Sequence, residues 1–263
     1  MSPSLPSLHS PPILKLLAHD LRWRLLTALA RSDRRVAELV HMLRQPANLV
    51  SYHLQRLREH NLVSARRSAS DGRDVYYSLR LEQVQRLYLA SGQALHPALT
   101  PAPGQAGVSA VPALPPRRVL FLCTHNSARS QMAEGLLRHH GQGRVEAYSA
   151  GTDPQPLHPL AVATMTARGI DISGQPSTSL SAYAGQAFDY VITVCDRARE
   201  SCPVFPGDPE QIHWSFPDPA QVAGAAARRR AFSQTAHELT TRINYLLLLL
   251  IDRRRSDGQK GSA

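Results

Sequence analysis

The stretch VLFLCTHNSARS, residues 119–130, decides the fold of the second half of the chain. Its first five residues are apolar without interruption, which predicts a buried strand of a parallel sheet. The segment that follows, QMAEGLLRHHG at 131–141, predicts a helix that ends at Gly141. Between strand and helix lies a Cys-x5-Arg loop whose backbone N–H groups, together with the helix start, direct positive partial charge to one point. This arrangement favours binding of an oxyanion.

Cys123 and Arg129, at the two ends of this loop, carry the predicted chemistry. Arg129 can bind a tetrahedral oxyanion through two N–H groups at once. We expect the same field to lower the pKa of Cys123 well below the value of about 8.5 of a free cysteine, so that its thiolate attacks a phosphate-like centre. The alternative is a buried core cysteine beside a chance arginine. The residues predicted to surround the oxyanion are Thr124, His125, Asn126, Ser127, Ala128 and Arg129.

All three cysteines of the chain, Cys123, Cys195 and Cys202, lie in its second part. Their odd number, and an N-terminus with Pro and Lys where a secretory signal has an apolar core, argue against a disulfide framework and favour reactive thiols in a cytoplasmic protein. Cys195 and Cys202 follow a second apolar strand and lie seven positions apart. A loop or loosened helix can bring them together, whereas a rigid helix does not hold both on one face. Buried structural thiols are the alternative.

Residues 117–252 resemble the low-molecular-weight protein tyrosine phosphatase family. The resemblance implies an α/β fold with a small parallel sheet flanked by helices. Within the family, the thioredoxin-coupled arsenate reductases resemble the chain more than the phosphatases do, because its three cysteines match the three positions that those enzymes use. Besides the Cys-x5-Arg loop, the segments that carry the resemblance are VEAYSAGT (145–152), RGIDISGQPST (168–178), FDYVITVCD (188–196) and HWSFPDPA (213–220), the last of which is closer to the reductases.

This resemblance implies roles for individual residues. Cys123 attacks arsenate that Arg129 and the loop amides hold, and Asp218 protonates the departing oxygen. Cys195 then attacks the sulfur of Cys123, and arsenite is released. Cys202 attacks Cys195 in turn, which leaves a disulfide for thioredoxin to reduce.

The same resemblance implies supporting residues. Ser130 hydrogen-bonds the sulfur of the nucleophile, and Asn126 braces the loop. Some members of the family hold a monovalent cation beside the loop; Asn126, Glu134 and Ser149 match ligand positions there, while the aspartate of the family is replaced at about Thr178. Apart from this cation we expect no tightly bound cofactor, and the twelve histidines show no convincing metal-ligand spacing.

The first part of the chain, residues 12–92, has the pattern of a winged helix-turn-helix. Its predicted elements are helices over 13–30, 36–43 and 48–60, then strand-like runs at 62–68 and 74–79 joined by a turn with the hairpin signal Asp71-Gly72. The third helix presents polar side chains able to touch base edges and phosphates, and the wing carries arginines. The predicted DNA contacts are Asn48, Ser51, Tyr52, Gln55, Arg56, Arg66, Arg67 and Arg73.

The run LVSYHLQRLREHNLVSARRSASDGRDVYYSL (49–79) resembles the recognition helix and wing of ArsR-type transcriptional repressors. This resemblance implies binding to double-stranded DNA and a homodimer formed in part by a helix beyond the wing, here at 81–90. Members that sense arsenite or metals often carry a cysteine pair in the second helix, whereas this chain has DRRVAELVHML (33–43) there. The local thiolate sensor is therefore absent. A winged helix that binds protein rather than DNA is the alternative.

Composition separates the two parts. Residues 1–100 have 14 Lys and Arg against 7 Asp and Glu, a balance of +7, and residues 101–263 have 16 against 13, a balance of +3. A basic small domain is typical of nucleic-acid binding. No apolar run approaches the roughly 20 residues of a membrane span. We place a Pro/Ala-rich linker at 93–116, the second domain at 117–252 and a basic, disordered tail at 253–263.

The sequence thus predicts a two-domain chain, an α+β winged helix-turn-helix followed by an α/β phosphatase-like domain. The leading hypothesis is an arsenate reductase with a three-cysteine relay, fused to an ArsR-like DNA-binding domain. A phosphatase of the same fold is one alternative. A transcription factor whose catalytic fold senses an oxyanion or a redox change is the other.

Overall fold

The chain divides into two compact units, Met1–Ala110 and Val111–Ala263. The computed structural model describes residues 10–70, 72–96, 99, 117–200 and 202–260, the last ten through their backbone alone. The division falls within the segment 93–116 that the sequence assigns to a linker, and most of that segment lies outside the described residues.

Helices form the body of the first unit. Those described are α1 (Pro12–Leu17), α2 (Asp20–Arg31), α3 (Val36–Leu43), α4 (Ala47–Glu59) and α5 (Leu81–Leu95). The single helix predicted over 13–30 is two helices, because His19 Nδ1 accepts a hydrogen bond from Leu21 N at 3.2 Å and caps a new helix start. The apolar faces of these helices meet in one core that includes the fully buried Leu25, Leu39, Leu54, Leu57 and Leu62.

The wing belongs to an antiparallel sheet of β1 (Arg34–Arg35), β2 (Val63–Arg67) and β3 (Val75–Leu79), in the order β1-β3-β2. The two predicted strands are β2 and β3, paired with Val63 opposite Leu79. The sequence missed β1, because two residues are too short for an alternating pattern. Of the predicted hairpin signal, Asp71 lies outside the described residues, while Gly72 has a φ of 68°, in the left-handed region that favours glycine.

The second unit is built on a parallel sheet. Its strands are β4 (Arg117–Cys123), β5 (Val145–Gly151), β6 (Tyr190–Thr193) and β7 (Glu210–His213), in the order β5-β4-β6-β7. Residues 119–122 are buried, which explains the unbroken apolar run of the sequence. Because β4 has β5 on one side and β6 on the other, its carboxyl end is a switch point, where open parallel sheets bind ligands.

The helices of the second unit are α6 (Arg129–Gly141), α7 (Pro159–Thr166), α8 (Asp196–Glu200) and α9 (Ala225–Lys260). α9 packs against α6 and α7, with Leu246 and Leu250 buried and Leu248 exposed. It is longer than the predicted helix over 231–251. Where the sequence predicts a disordered tail, the helical backbone continues to Lys260; residues 261–263 lie outside the described part. No helix among the described residues is long and apolar enough to cross a membrane.

Candidate active site

The loop between β4 and α6 joins a buried strand to a helix start, as the sequence predicts. Cys123 is the last residue of β4 and Arg129 the first of α6. Both are buried, Cys123 with 3% and Arg129 with 8% of its surface exposed. The first N–H groups of a helix have no partner within the helix, so α6 directs positive partial charge into the loop.

The carbonyl groups of the loop are bonded on its outer side. Segment 152–158 lies alongside and donates from Thr152 N to Cys123 O (3.4 Å), Asp153 N to Thr124 O, Gln155 N to His125 O and His158 N to Ser127 O (each 2.8 Å). The hydroxyl of Ser177 donates to Asn126 O at 3.2 Å. With five successive carbonyls held outward, the N–H groups of the loop are left for the concave side. This is the arrangement that an oxyanion cradle requires.

Asn126 ties the loop to its surroundings. Its φ of 46° lies in the left-handed region, which asparagine tolerates better than most residues. Its Nδ2 donates to Ser130 Oγ at 2.9 Å and to Ser149 Oγ at 2.8 Å, while its Oδ1 accepts from Thr178 N at 2.7 Å and from Gln131 Nε2 at 3.1 Å. Asn126 therefore contacts the helix start, β5 and the segment at Thr178. The part played by Gln131 was missed, because nothing in its sequence position signals it.

The sulfur of Cys123 has two close polar partners. Ser130 Oγ lies 2.9 Å from Sγ, and Asn126 N donates to it at 3.0 Å. Even so, burial raises the pKa of the Cys123 thiol and the nearby Cys195 adds to the rise, whereas Arg129, Ser130 and Asn126 oppose it. The lowering expected from the sequence is wrong for this structure. That expectation counted the field of the loop and left out the cost of removing a thiolate from water.

Arg129 is oriented by the segment that carries Asp218. Its Nη1 donates to Phe216 O at 2.9 Å and its Nη2 to Asp218 Oδ2 at 3.1 Å. Both side chains of this ion pair are largely buried. Asp218 Oδ1 also accepts from Ala220 N at 3.0 Å and caps the short turn Pro219–Gln221. A carboxyl group is thus fixed beside the guanidinium of the loop.

Cys195 lies next to the loop. Val194 N donates to Leu122 O at 2.8 Å, so the ends of β4 and β6 are adjacent. Cys195 Sγ is 3.4 Å from Thr124 Oγ1, and Ala198 N at the start of α8 contacts the same sulfur at 3.4 Å. The structure therefore brings Cys195 to the oxyanion loop that Cys123 begins.

Cys202 lies beyond the end of α8 and is partly exposed. Its N–H donates to Arg199 O at 3.5 Å. Burial raises the pKa of its thiol, and Arg199 opposes the rise. Cys202 is thus the one of the three free thiols that is not fully buried.

The residues expected to hold a monovalent cation do not fit one. Glu134 Oε1 accepts from Arg138 Nη2, and Glu134 Oε2 accepts from Ser149 Oγ at 2.6 Å. Asn126 turns its Nδ2, a donor, toward Ser149, while its Oδ1 already accepts two hydrogen bonds. Burial raises the pKa of Glu134, opposed by Ser149 and Arg138. The positive charge beside this carboxylate is therefore Arg138. Among the described residues, no three His, Cys, Asp or Glu side chains lie together in a group that could hold a metal ion.

The predicted DNA contacts of α4 share its exposed face. Val50, Leu54 and Leu57 on the opposite face are buried. Exposed are Asn48, Ser51, Tyr52, Gln55 and Arg56, of which Gln55 and Arg56 hydrogen-bond Glu59 one turn further on. On the wing, Arg67 and Arg73 are exposed and Arg66 is half-buried.

A buried thiol at the end of a parallel strand, an arginine at the start of the next helix and a cradle of backbone amides define an enzyme that attacks a tetrahedral oxyanion through cysteine. The chain belongs to the low molecular weight phosphotyrosine protein phosphatase family, whose model matches residues 118–255. A second model, described as MarR family, matches residues 19–74. The helix-turn-helix class predicted for the first part is confirmed, although the matching family is MarR where the sequence suggested ArsR.

Curated relatives of the chain are named arsenate reductase. That of Shouchella clausii is 40% identical over 126 residues, which is 48% of this chain and 91% of the relative. That of Bacillus subtilis is 39% identical over 120 residues, which is 46% of this chain and 86% of the relative. A solved structure described as an arsenate reductase in oxidized state is 30% identical and covers 50% of this chain and 97% of its own, with a TM-score of 0.44.

Proposed function

We propose that the chain is an arsenate reductase fused to a regulatory domain that binds double-stranded DNA. The observation that carries the proposal is the position of Cys195, whose Sγ lies 3.4 Å from the hydroxyl of Thr124, the residue next to Cys123. Hydrolysis of a phosphate ester needs one cysteine, whereas reduction needs a second thiol within reach of the first. The arsenate reductases among the relatives support the choice of substrate.

The reaction begins when the Cys123 thiolate attacks the arsenic atom of arsenate. The loop amides and Arg129 hold the oxyanion, and Asp218 donates a proton to the departing oxygen, which leaves as water. The product is a Cys123–arsenic(V) adduct. The 3.1 Å contact of Asp218 with Arg129 places the carboxyl group beside the residue that holds the oxyanion in this proposal.

Reduction takes place when Cys195 attacks the sulfur of this adduct. A Cys123–Cys195 disulfide forms, the S–As bond breaks, and its electron pair stays on arsenic, which leaves as arsenite. Cys202 then attacks Cys195, which frees the Cys123 thiolate and leaves a Cys195–Cys202 disulfide. The partial exposure of Cys202 supports reduction of this disulfide from outside, by thioredoxin in the cytoplasm.

The first domain binds DNA as a homodimer in this proposal. Its α4 enters the major groove with the polar face described above, and the arginines of the wing contact phosphates. Exposed Tyr88 and Leu95 on α5 support packing of a second copy there. Because no cysteine lies in this domain, its inducer is not arsenite bound to local thiolates.

A phosphatase is the second candidate, and the family match favours it. Cleavage of an aryl phosphate needs Cys123, Arg129 and Asp218, which lie together at the loop. Such cleavage is expected as a side reaction of the reductase, so the two functions differ in their need for Cys195 and Cys202.

The test is arsenate-dependent NADPH oxidation with thioredoxin and thioredoxin reductase, with aryl phosphate hydrolysis measured in parallel. We expect Cys123→Ser to abolish both reactions, and Cys195→Ser and Cys202→Ser to abolish arsenate turnover only. Aryl phosphate cleavage without arsenate turnover in the wild type would refute the reductase and make the chain a phosphatase.

A further inference from the structure

A buried polar network joins the carboxyl ends of β6 and β7. His213, at the end of β7, lies opposite Thr193 at the end of β6. Its Nδ1 is 2.8 Å from Thr193 Oγ1 and its Nε2 is 3.2 Å from Asp196 Oδ1, which also accepts from Ser215 Oγ at 2.7 Å. His213 and Asp196 are 0% and 1% exposed. A buried pair of this kind is a poor source of stability, because desolvation of the two groups offsets their attraction, so a positioning role is the better explanation.

The network holds the backbone on which the second thiol sits. Asp196 directly follows Cys195 and begins α8. Ser215 directly precedes Phe216, whose carbonyl accepts from Arg129. One set of hydrogen bonds therefore links the position of Cys195 to the segment that orients the arginine of the oxyanion loop.

The proposed relay needs Cys195 at the oxyanion loop for its first step. Cys195 has to reach the sulfur of Cys123 before Cys202, which lies beyond the end of α8, attacks Cys195 in turn. The hydrogen bonds of Asp196 act on the residue next to Cys195 and therefore bear on the first of these two steps.

We propose that His213 is a positioning residue for the relay, which holds the Asp196 carboxylate and so keeps Cys195 at the mouth of the oxyanion loop. This inference rests on the proposed function. It assigns to His213 the step in which Cys195 attacks the Cys123–arsenic adduct. Formation of that adduct depends on Cys123, Arg129 and Asp218, which the network reaches through Ser215 and its neighbour Phe216.

The experiment uses the full chain with Cys202→Ser, so that the Cys123–Cys195 disulfide accumulates. Reduced protein is mixed with arsenate, quenched with an alkylating agent, and the disulfide is followed by mass spectrometry; aryl phosphate hydrolysis is measured on the same samples. We expect His213→Leu to slow disulfide formation by about tenfold or more, because small displacements of a reacting group cost that much, and to slow hydrolysis by much less. His213→Gln, which keeps a donor for Asp196, should recover most of the rate. His139→Leu, at an exposed histidine of α6, is the control.

A second variant keeps the test informative if His213→Leu fails to fold. His213→Leu alone removes one hydrogen-bond partner of a buried carboxylate, whereas Asp196→Leu with His213→Leu removes both groups and is expected to fold. The folded double variant should also lose far more of its rate of disulfide formation than of its rate of aryl phosphate hydrolysis. Disulfide formation at the parent rate, or equal loss of both reactions, would overturn the inference. If the parent itself forms no disulfide with arsenate, the proposed function fails instead.

Discussion

At the scale of single residues, the reactivity of Cys123 depends on the pKa of its thiol. Burial raises this pKa, and Arg129, Ser130 and Asn126 lower it. Of these groups, Ser130 has its Oγ 2.9 Å from the sulfur. A raised pKa means that the thiolate appears only as the pH rises, so arsenate turnover should increase with pH through that pKa.

Ser130→Ala removes one stabilising hydrogen bond from the thiolate. We expect it to raise the pKa of Cys123 further and to move the whole pH profile to higher pH. The measurement is the ultraviolet absorbance of the thiolate across a pH series, in protein with Cys195→Ser and Cys202→Ser. Ser173→Ala, at an exposed serine away from the loop, is the control. A profile that Ser130→Ala does not move would show that this hydroxyl does not stabilise the thiolate.

At the scale of elements, the end of β5 sets how closely the loop can approach the sheet. A Cβ at Gly151 would lie 2.6 Å from Thr124 O and 2.8 Å from Asn126 N, both backbone atoms that cannot turn aside. Gly151→Ala should therefore displace the loop and lower kcat/KM for aryl phosphate by about 100-fold. Gly174→Ala, where an added Cβ meets no atom within 4 Å, is the matched control. Equal activity of the two variants would contradict the prediction.

A second prediction at this scale concerns Glu134, which lies at the contact between α6 and β5. Arg138 supplies the positive charge beside Glu134 that a bound cation would otherwise supply. We expect the thermal unfolding midpoint and the activity of the wild type to be the same in potassium as in tetramethylammonium salts. Arg138→Gln should unfold at a lower temperature in both salts, because Glu134 loses its ion-pair partner. A wild type that potassium stabilises would contradict this assignment.

The sequence predicted the elements that local patterns encode. The unbroken apolar run before Cys123 and the Cys-x5-Arg spacing are such patterns, and they placed the strand, the loop and the helix correctly. The break that His19 makes between α1 and α2 was missed, because histidine is not a usual capping residue. The pKa of Cys123 and the pairing of Asp196 with His213 depend on burial and on residues distant in sequence, which no local pattern shows.

At the scale of the whole molecule, the excess positive charge of the first domain predicts salt-dependent binding to DNA. Binding of the full chain to a mixed-sequence duplex, followed by fluorescence anisotropy, should weaken steeply as salt rises. Arg67→Ala and Arg73→Ala, each removing one phosphate contact, should reduce the slope of log affinity against log salt by about 0.9 each. Arg168→Ala in the second unit is the control. A slope that these wing variants leave unchanged would exclude the wing from the interface.

Hydrogen bonds within the protein hold the loop carbonyls outward, so the cradle has a fixed size and charge. Inorganic phosphate has the same shape and charge as arsenate and therefore competes for the same place. A rigid cradle of amides and one guanidinium cannot discriminate between the two. Under the proposed function, selectivity is then kinetic: both anions enter, but only arsenic accepts the electrons of the thiol pair, and phosphate dissociates unchanged. Resistance to arsenate would in that case depend on the ratio of the two anions in the cell.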